Sequence, residues 1–168
     1  MLSNGIDSRL GQYVRAEKGY VYGVTAFFEP GRQAGLFDGN TGTKYETTAD
    51  TIEAMFKVFH DMQQAQVPEK ELSDAKSRVA GQLLMTMQTI QQQAARRVSA
   101  ILNHYPIDYY DVYPERISKV TADEVQDVMK KYADDSKMTI VVVAPASSVK
   151  TQLDKLGDVT VIPAAPQE

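Results

Sequence analysis

The fold is decided by the stretch Ser8-Arg9-Leu10-Gly11-Gln12-Tyr13-Val14-Arg15-Ala16-Glu17-Lys18-Gly19-Tyr20-Val21-Tyr22-Gly23-Val24, in which a helical pattern gives way to a strand pattern. Residues 6–18 predict a helix, and Gly19 is placed to end it as the residue after its C-cap. Aromatic and β-branched residues over 20–29 then predict a strand. The residues expected to cap the helix and to form its apolar face are Asp7 or Ser8, and Leu10 with Val14.

A second strand is predicted to return over residues 33–43. The turn between the strands is expected at Glu29-Pro30-Gly31-Arg32, because proline presets φ and glycine accepts a positive φ. The glycines at 35, 39 and 42 weaken this second strand. Together the two segments predict a β-hairpin.

Helices are predicted to follow the hairpin. In the longer ones apolar residues recur every three or four positions, and capping signals precede two of them. The predicted helices are one that Thr48 can cap, a long one from Pro68 to Ile101 unless Gly81 or a bend interrupts it, a short one over 108–119, one behind the capping box Thr121-Ala122-Asp123-Glu124, and a last one over 147–156.

The continuous apolar run Met138–Ala144 predicts a central strand that is buried on both faces. A short edge strand is expected over 159–162, and residues 163–168 read as a tail. Segregated strands and helices indicate the α+β class, here a two-layer α/β sandwich with a mixed or antiparallel sheet and a helical layer on one face. We expect residues 1–168 to form a single domain, a piece of a longer chain that lacks its leading strands.

Composition excludes several classes of protein. The chain has 168 residues and a net charge of −4, with a sequence pI near 5.2. Nucleic acid is therefore not an expected partner, since such proteins usually carry a basic patch and a high pI. Cysteine is absent, which removes disulfides and thiol chemistry. Neither a signal peptide nor an apolar run long enough to span a membrane is visible.

No self-sufficient catalytic set is present in the sequence. The two histidines, His60 and His104, lie far apart, and neither belongs to a His-x-x-Glu-His or His-Glu-x-x-His pattern. Surface or helix-end positions are expected for both. No Gly-x-Ser-x-Gly elbow surrounds any serine, and the glycines lack the spacing of a phosphate loop. We therefore expect no metal and no cofactor in this segment.

Arg15 and Tyr22 remain as candidates, seven residues apart on the predicted helix and the following strand. A local interpretation is available for both: an arginine favours the negative end of a helix, and a strand tyrosine is often half buried. Spacing alone favours that local interpretation.

The chain resembles the pitrilysin/insulinase-like zinc peptidases, the inverted-motif family that includes mitochondrial processing peptidase. The resemblance is to the second, metal-free half, in which a helix of pattern Ser-Arg-Leu…Arg-Glu-x-x-Gly precedes a strand that begins x-Tyr. The matching residues in this chain, in order, are Ser8-Arg9-Leu10, Arg15, Glu17-Lys18-Gly19, Tyr22, Gly31, Gly35-Leu36-Phe37, Glu71–Lys76, Tyr113–Ile117, Val120–Val125 and Val141–Val143.

The resemblance implies a duplicated α/β unit whose two halves close over a peptide. One half holds zinc, and the other supplies an arginine and a tyrosine, which fall here on Arg15 and Tyr22. The implied partners are a zinc-bearing homologous half, fused or separate, and an extended peptide substrate. This segment should be inactive alone because it lacks His-x-x-Glu-His. The periplasm is favoured over the cytoplasm, since bacterial relatives are often exported.

Three functional hypotheses are compatible with this sequence. The first is an assisting half of a zinc metalloendopeptidase, acting through Arg15 and Tyr22. The second is a catalytically dead structural or peptide-binding subunit of the same fold. The third is an interaction module without peptide chemistry, in which the spacing of the pair is accidental.

Overall fold

The computed structural model describes residues 1–3, 5–29 and 34–164. The predicted turn at 29–32 and the end of the tail, 165–168, lie largely or wholly outside these residues. The chain divides into two compact units. We call the first the hairpin unit; it consists of the described residues of Leu2–Phe27, Phe37–His60 and Asp134–Glu168. We call the second the helical unit; it consists of the described residues of Met1, Phe28–Leu36 and Asp61–Ala133.

The hairpin unit begins with a helix and a β-hairpin, as predicted. The helix is a π-helix over Gly11–Glu17, and it is followed by strands β1 (Val21–Glu29) and β2 (Leu36–Thr43), which form a two-stranded sheet. Leu10 and Val14 have no exposed surface. These two residues are the apolar face that the sequence indicated.

Helix α1 (Thr48–Gln64) packs in this unit against the second strand. The rings of Phe37 and Phe59 meet edge to face with their centroids 5.4 Å apart. A Cβ atom at Gly39 would lie 3.1 Å from Met55 Cε, so the strand approaches the helix closely because this position is glycine. The apolar face of α1 is buried against the hairpin in this way.

A side chain from the C-terminal part of the sequence binds the N-terminus of α1. Helix α6 (Ala146–Leu153) carries Gln152, whose side-chain oxygen accepts from the Ala49 amide at 3.0 Å. Thr48 begins α1 as predicted, but its hydroxyl donates to the carbonyls of Lys44 and Tyr45. The amide that a capping side chain would bind is bound by Gln152 instead.

The helical unit contains four helices of its own: α2 (Glu69–Met85), α3 (Ile90–Leu102), α4 (Tyr113–Ser118) and α5 (Ala122–Tyr132). The capping box predicted at Thr121 is confirmed, since its hydroxyl accepts from the Glu124 amide and the Glu124 carboxylate accepts from the Thr121 amide. Gln63, in the last turn of α1, donates to the Ala133 carbonyl at 2.8 Å, just beyond the end of α5.

The long helix predicted over 68–101 is interrupted, which is the alternative that the sequence analysis left open. The helix ends at Met85, and a new one begins at Ile90 behind a capping box formed by Thr89 and Gln92. This box satisfies free amides at a new helix start, which stabilises the break relative to a continuous helix. Gly81, the suspected site of interruption, lies inside α2.

The prediction of a central strand over Met138–Ala144 is also wrong. In the described part of the chain this segment belongs to no strand, and Val141 and Val143 are 81% and 97% exposed. An apolar run becomes a buried strand only when neighbouring strands cover it, and the described residues supply none beside it. The short edge strand expected over 159–162 is likewise not formed.

The α+β class is confirmed, with a sheet of two strands in the described residues. The single-domain assignment of residues 1–168 stays a prediction. No helix in the described ranges is long and apolar enough to span a bilayer.

The break between α2 and α3 should depend on Thr89. We expect Thr89→Ala to lower the free energy of unfolding by about 1 kcal/mol, because the Gln92 amide loses its capping oxygen. Urea denaturation followed by circular dichroism measures the change. Thr160→Ala is the matched control, since Thr160 is exposed and its hydroxyl bonds to none of the described residues. An equal change in both variants would contradict the capping role.

Candidate functional site

The candidate site lies at the junction between the π-helix and strand β1. Gly19 has φ +65°, and the amides of Gly19 and Tyr20 donate to the carbonyls of Arg15 and Val14 at 3.1 and 3.2 Å. The bond from the Gly19 amide to the carbonyl four residues back, at a left-handed glycine, is that of an αL C-cap motif. The chain therefore reverses within two residues, and the end of the helix lies beside the start of β1.

The reversal brings Arg15 and Tyr22 together. The central carbon of the Arg15 guanidinium lies 5.0 Å from the centroid of the Tyr22 ring. Tyr22 is 89% exposed, so the prediction of a half-buried strand aromatic under the local interpretation is wrong. A cation held over an exposed aromatic face is stabilised by about 0.5–1 kcal/mol.

The polar groups of this pair remain available to a ligand. Among the described residues no carboxylate forms a salt bridge with Arg15, and the Tyr22 hydroxyl makes no hydrogen bond. A guanidinium has five N–H donors and a phenol has one, and neither is consumed here. The pair therefore presents several donors to an acceptor such as a peptide carbonyl oxygen.

A second aromatic residue, missed by the sequence analysis, lies on the helix that carries Arg15. The Tyr13 ring has Lys18 Nζ at 5.2 Å and Lys57 Nζ at 5.4 Å from its centroid. Lys57 comes from α1, which no local pattern around Tyr13 indicates. Together with Arg15 these lysines give the end of the helix an excess of positive charge, which favours electron-rich atoms nearby.

The histidines do not contribute to this site. His60 Nε2 lies 3.1 Å from the Asp135 carboxylate, with both side chains partly exposed. His104 adopts φ +57° in the exposed segment after α3. Within residues 1–3, 5–29 and 34–164 no group of three histidine, cysteine, aspartate or glutamate side chains is close enough to hold a metal ion. The donor set of the described residues does not fit zinc.

Two solved structures define the class of protein. The peptidase M16 inactive domain from Pseudomonas fluorescens is 26% identical, with a TM-score of 0.71 over 78% of this chain and 31% of that chain. A putative zinc protease from Bordetella pertussis Tohama I is 17% identical, with a TM-score of 0.64 over 80% of this chain and 74% of that one. The fold is thus that of an inactive domain of the zinc-peptidase type.

The sequence comparisons agree with the resemblance. Residues 1–79, which contain Arg15 and Tyr22, match the model described as the peptidase M16 inactive domain. The chain is also 22% identical over 148 residues to the non-peptidase homolog YmxG of Helicobacter pylori, covering 86% of this chain and 33% of that protein. It spans about a third of the length of this relative and of the Pseudomonas structure.

The contact between Arg15 and Tyr22 should be measurable in a double-mutant cycle. With Arg15→Met and Tyr22→Leu, we expect a coupling free energy of about 0.5–1 kcal/mol, because either change alone removes the cation–π contact. Chemical denaturation of the four proteins gives the value. The control cycle pairs Arg15→Met with Tyr45→Leu, between which no contact is formed. Strict additivity of the Arg15 and Tyr22 changes would show that the two side chains do not interact.

Proposed function

We propose that this chain is the non-zinc half of a zinc metalloendopeptidase and assists catalysis through Arg15 and Tyr22. The observation that carries the proposal is the exposed Tyr22 ring with the Arg15 guanidinium 5.0 Å from its centroid. A pair serving only stability would usually be more buried or would engage its polar atoms within the protein. The proposal is also supported by the match of residues 1–79, in which the pair lies, to the peptidase M16 inactive domain.

Arg15 would hold the substrate. Its planar guanidinium donates in two directions at once, so it can bind a backbone carbonyl of an extended peptide while remaining over the Tyr22 ring. The absence of a paired carboxylate among the described residues leaves that charge uncompensated within the chain. Binding by Arg15 would set the register of the peptide and bring the scissile bond to the shared site.

Tyr22 would stabilise the transition state. The carbonyl oxygen of the scissile peptide gains negative charge as water attacks, and a positioned hydroxyl can donate a hydrogen bond to that oxygen. The neighbouring guanidinium stabilises developing negative charge further. Because the Tyr22 side chain is 89% exposed, its hydroxyl is accessible to a substrate held by a second half.

Zinc would come from the partner half, where it would activate the attacking water. The described residues of this chain provide no set of ligands for it. We therefore expect the isolated chain to cleave no peptide, and the zinc-bearing half, fused or separate, to be required. We favour the periplasm as the compartment, since the bacterial peptidases that this chain resembles are often exported.

The unpaired edge of β1 is where we expect the peptide. The sheet has the order β1-β2, so β1 keeps one edge that no described strand occupies. An extended peptide can add to such an edge through main-chain hydrogen bonds. Tyr22 is the second residue of β1 (Val21–Glu29), which places its side chain near one end of the added strand.

A second candidate is a structural or peptide-binding subunit that does not cleave. It is favoured by the similarity to YmxG, whose name describes a non-peptidase homolog. Both candidate functions involve binding of a peptide, and they differ in whether the bound peptide is then cleaved. A single assay of binding and turnover therefore separates them.

Reconstitution with the zinc-bearing homologous half of the same organism tests the proposal. We expect Tyr22→Phe to lower kcat on unstructured peptides by roughly 10²–10³-fold, because one transition-state hydrogen bond is lost. Arg15→Met should mainly raise KM, because that side chain binds the substrate before the reaction. Cleavage of a fluorogenic peptide measures both constants.

The matched control is Tyr45→Phe, since Tyr45 is 49% exposed in the same unit and its hydroxyl makes no hydrogen bond to the described residues. It should keep wild-type kcat. Unchanged kcat in Tyr22→Phe would remove Tyr22 from the mechanism. Peptide binding with no turnover in any variant would establish the non-cleaving subunit.

A further inference from the structure

The helix that carries Arg15 is wound more widely than an α-helix. Over Gly11–Glu17 it is a π-helix, and the Lys18 amide donates to the Tyr13 carbonyl, five residues back, at 3.0 Å. Closing a turn with one extra residue rotates the next part of the chain by about 100° relative to an α-helix, the angle that one residue subtends at 3.6 residues per turn. The direction of Arg15 therefore depends on this register.

A buried serine fixes the start of the helix. Ser8 is 1% exposed; its hydroxyl donates to the Gly5 carbonyl at 2.7 Å and accepts from the Gly11 amide at 3.1 Å. The hydroxyl thus satisfies one of the free amides at the helix start and also ties the helix to the preceding turn. The bond from the Gly11 amide is buried, so an alanine at position 8 would leave that amide without this partner.

Gly11 allows the turn and the helix to approach each other. A Cβ atom at this position would lie 2.5 Å from the Gly5 carbonyl oxygen and 2.9 Å from that of Ile6. Both atoms belong to the backbone, so they cannot move aside as a flexible side chain would. Glycine inside a helix costs about 1 kcal/mol relative to alanine, and the close approach gives the physical reason for it here.

We propose that Ser8 and Gly11 are positioning residues that hold the π-helical register and thereby direct Arg15 onto Tyr22. The other end of the register is fixed by Gly19, whose positive φ starts the strand. Neither Ser8 nor Gly11 touches a substrate in this scheme; both act through the direction of the guanidinium. The effect of the guanidinium direction on activity rests on the function proposed above for Arg15 and Tyr22. The geometric role of Ser8 and Gly11 does not depend on that function.

The register can be measured first in the unmodified chain. Nuclear magnetic resonance detects scalar couplings across hydrogen bonds, from an amide nitrogen to the carbonyl carbon of its acceptor. We expect the Lys18 amide to couple to the Tyr13 carbonyl. A coupling to the Val14 carbonyl instead would show an α-helical register and overturn the proposal without any variant.

The variants Ser8→Ala and Gly11→Ala test the effect on Arg15. The Tyr22 ring shifts the resonances of the Arg15 side-chain protons upfield, and Tyr22→Leu gives the unshifted reference. We expect both variants to lose the shift, and Ser8→Thr to retain it because the hydroxyl is kept. Gly81→Ala is the control for a glycine within a helix, since a Cβ there meets no atom within 4 Å. Retention of the shift in folded Ser8→Ala and Gly11→Ala would overturn the positioning role.

The reconstituted assay separates this inference from the proposed function. If Arg15 binds the peptide, its displacement should lower kcat/KM on the order of 10²-fold, with the shift and the activity lost together. Loss of the shift at unchanged kcat/KM would confirm positioning and contradict the function of the pair. A fall in kcat/KM with the shift retained would overturn positioning by Ser8 and Gly11.

Discussion

The left-handed conformation of Gly19 is the constraint on which the candidate site depends. An L-residue with a side chain would be strained by roughly 1–2 kcal/mol at a φ of +65°, and a longer connection would separate the helix from the strand. The seven-residue spacing between Arg15 and Tyr22 has a structural basis here. It is one turn of helix, a reversal and two residues of strand, and each part is held by a backbone hydrogen bond or a sheet.

The buried face of the first helix holds its exposed face in place. Leu10 and Val14 are wholly buried, so the helix cannot rotate without exposing apolar surface to water. The cationic and aromatic groups on the opposite side can therefore remain in solvent and still be held in place. Such an arrangement would suit the binding and electrostatic roles that we propose for Arg15 and Tyr22.

The sequence predicted features that depend on neighbours in the chain. The capping box at Thr121, the helix end at Gly19 and the hairpin strands are set by local hydrogen bonds and φ preferences, and all are present. The proximity of Arg15 and Tyr22 came from the family resemblance, because spacing alone favoured a local role. The π-register has no side-chain pattern of its own, and Gly11 was its only signal. The break before Ile90 could have been recognised from Thr89 and Gln92, which have capping-box spacing with glutamine in place of glutamate.

The exposed apolar run Met138–Ala144, which forms no strand, has a consequence for the solubility of the chain. This run has high β-propensity and no charge, and its outer valines are almost fully in solvent. Six- or seven-residue segments of this kind template cross-β stacking when they are accessible. The chain handled alone at high concentration should therefore be prone to self-association through this run. Anything that covers the run would therefore also help to keep the chain in solution.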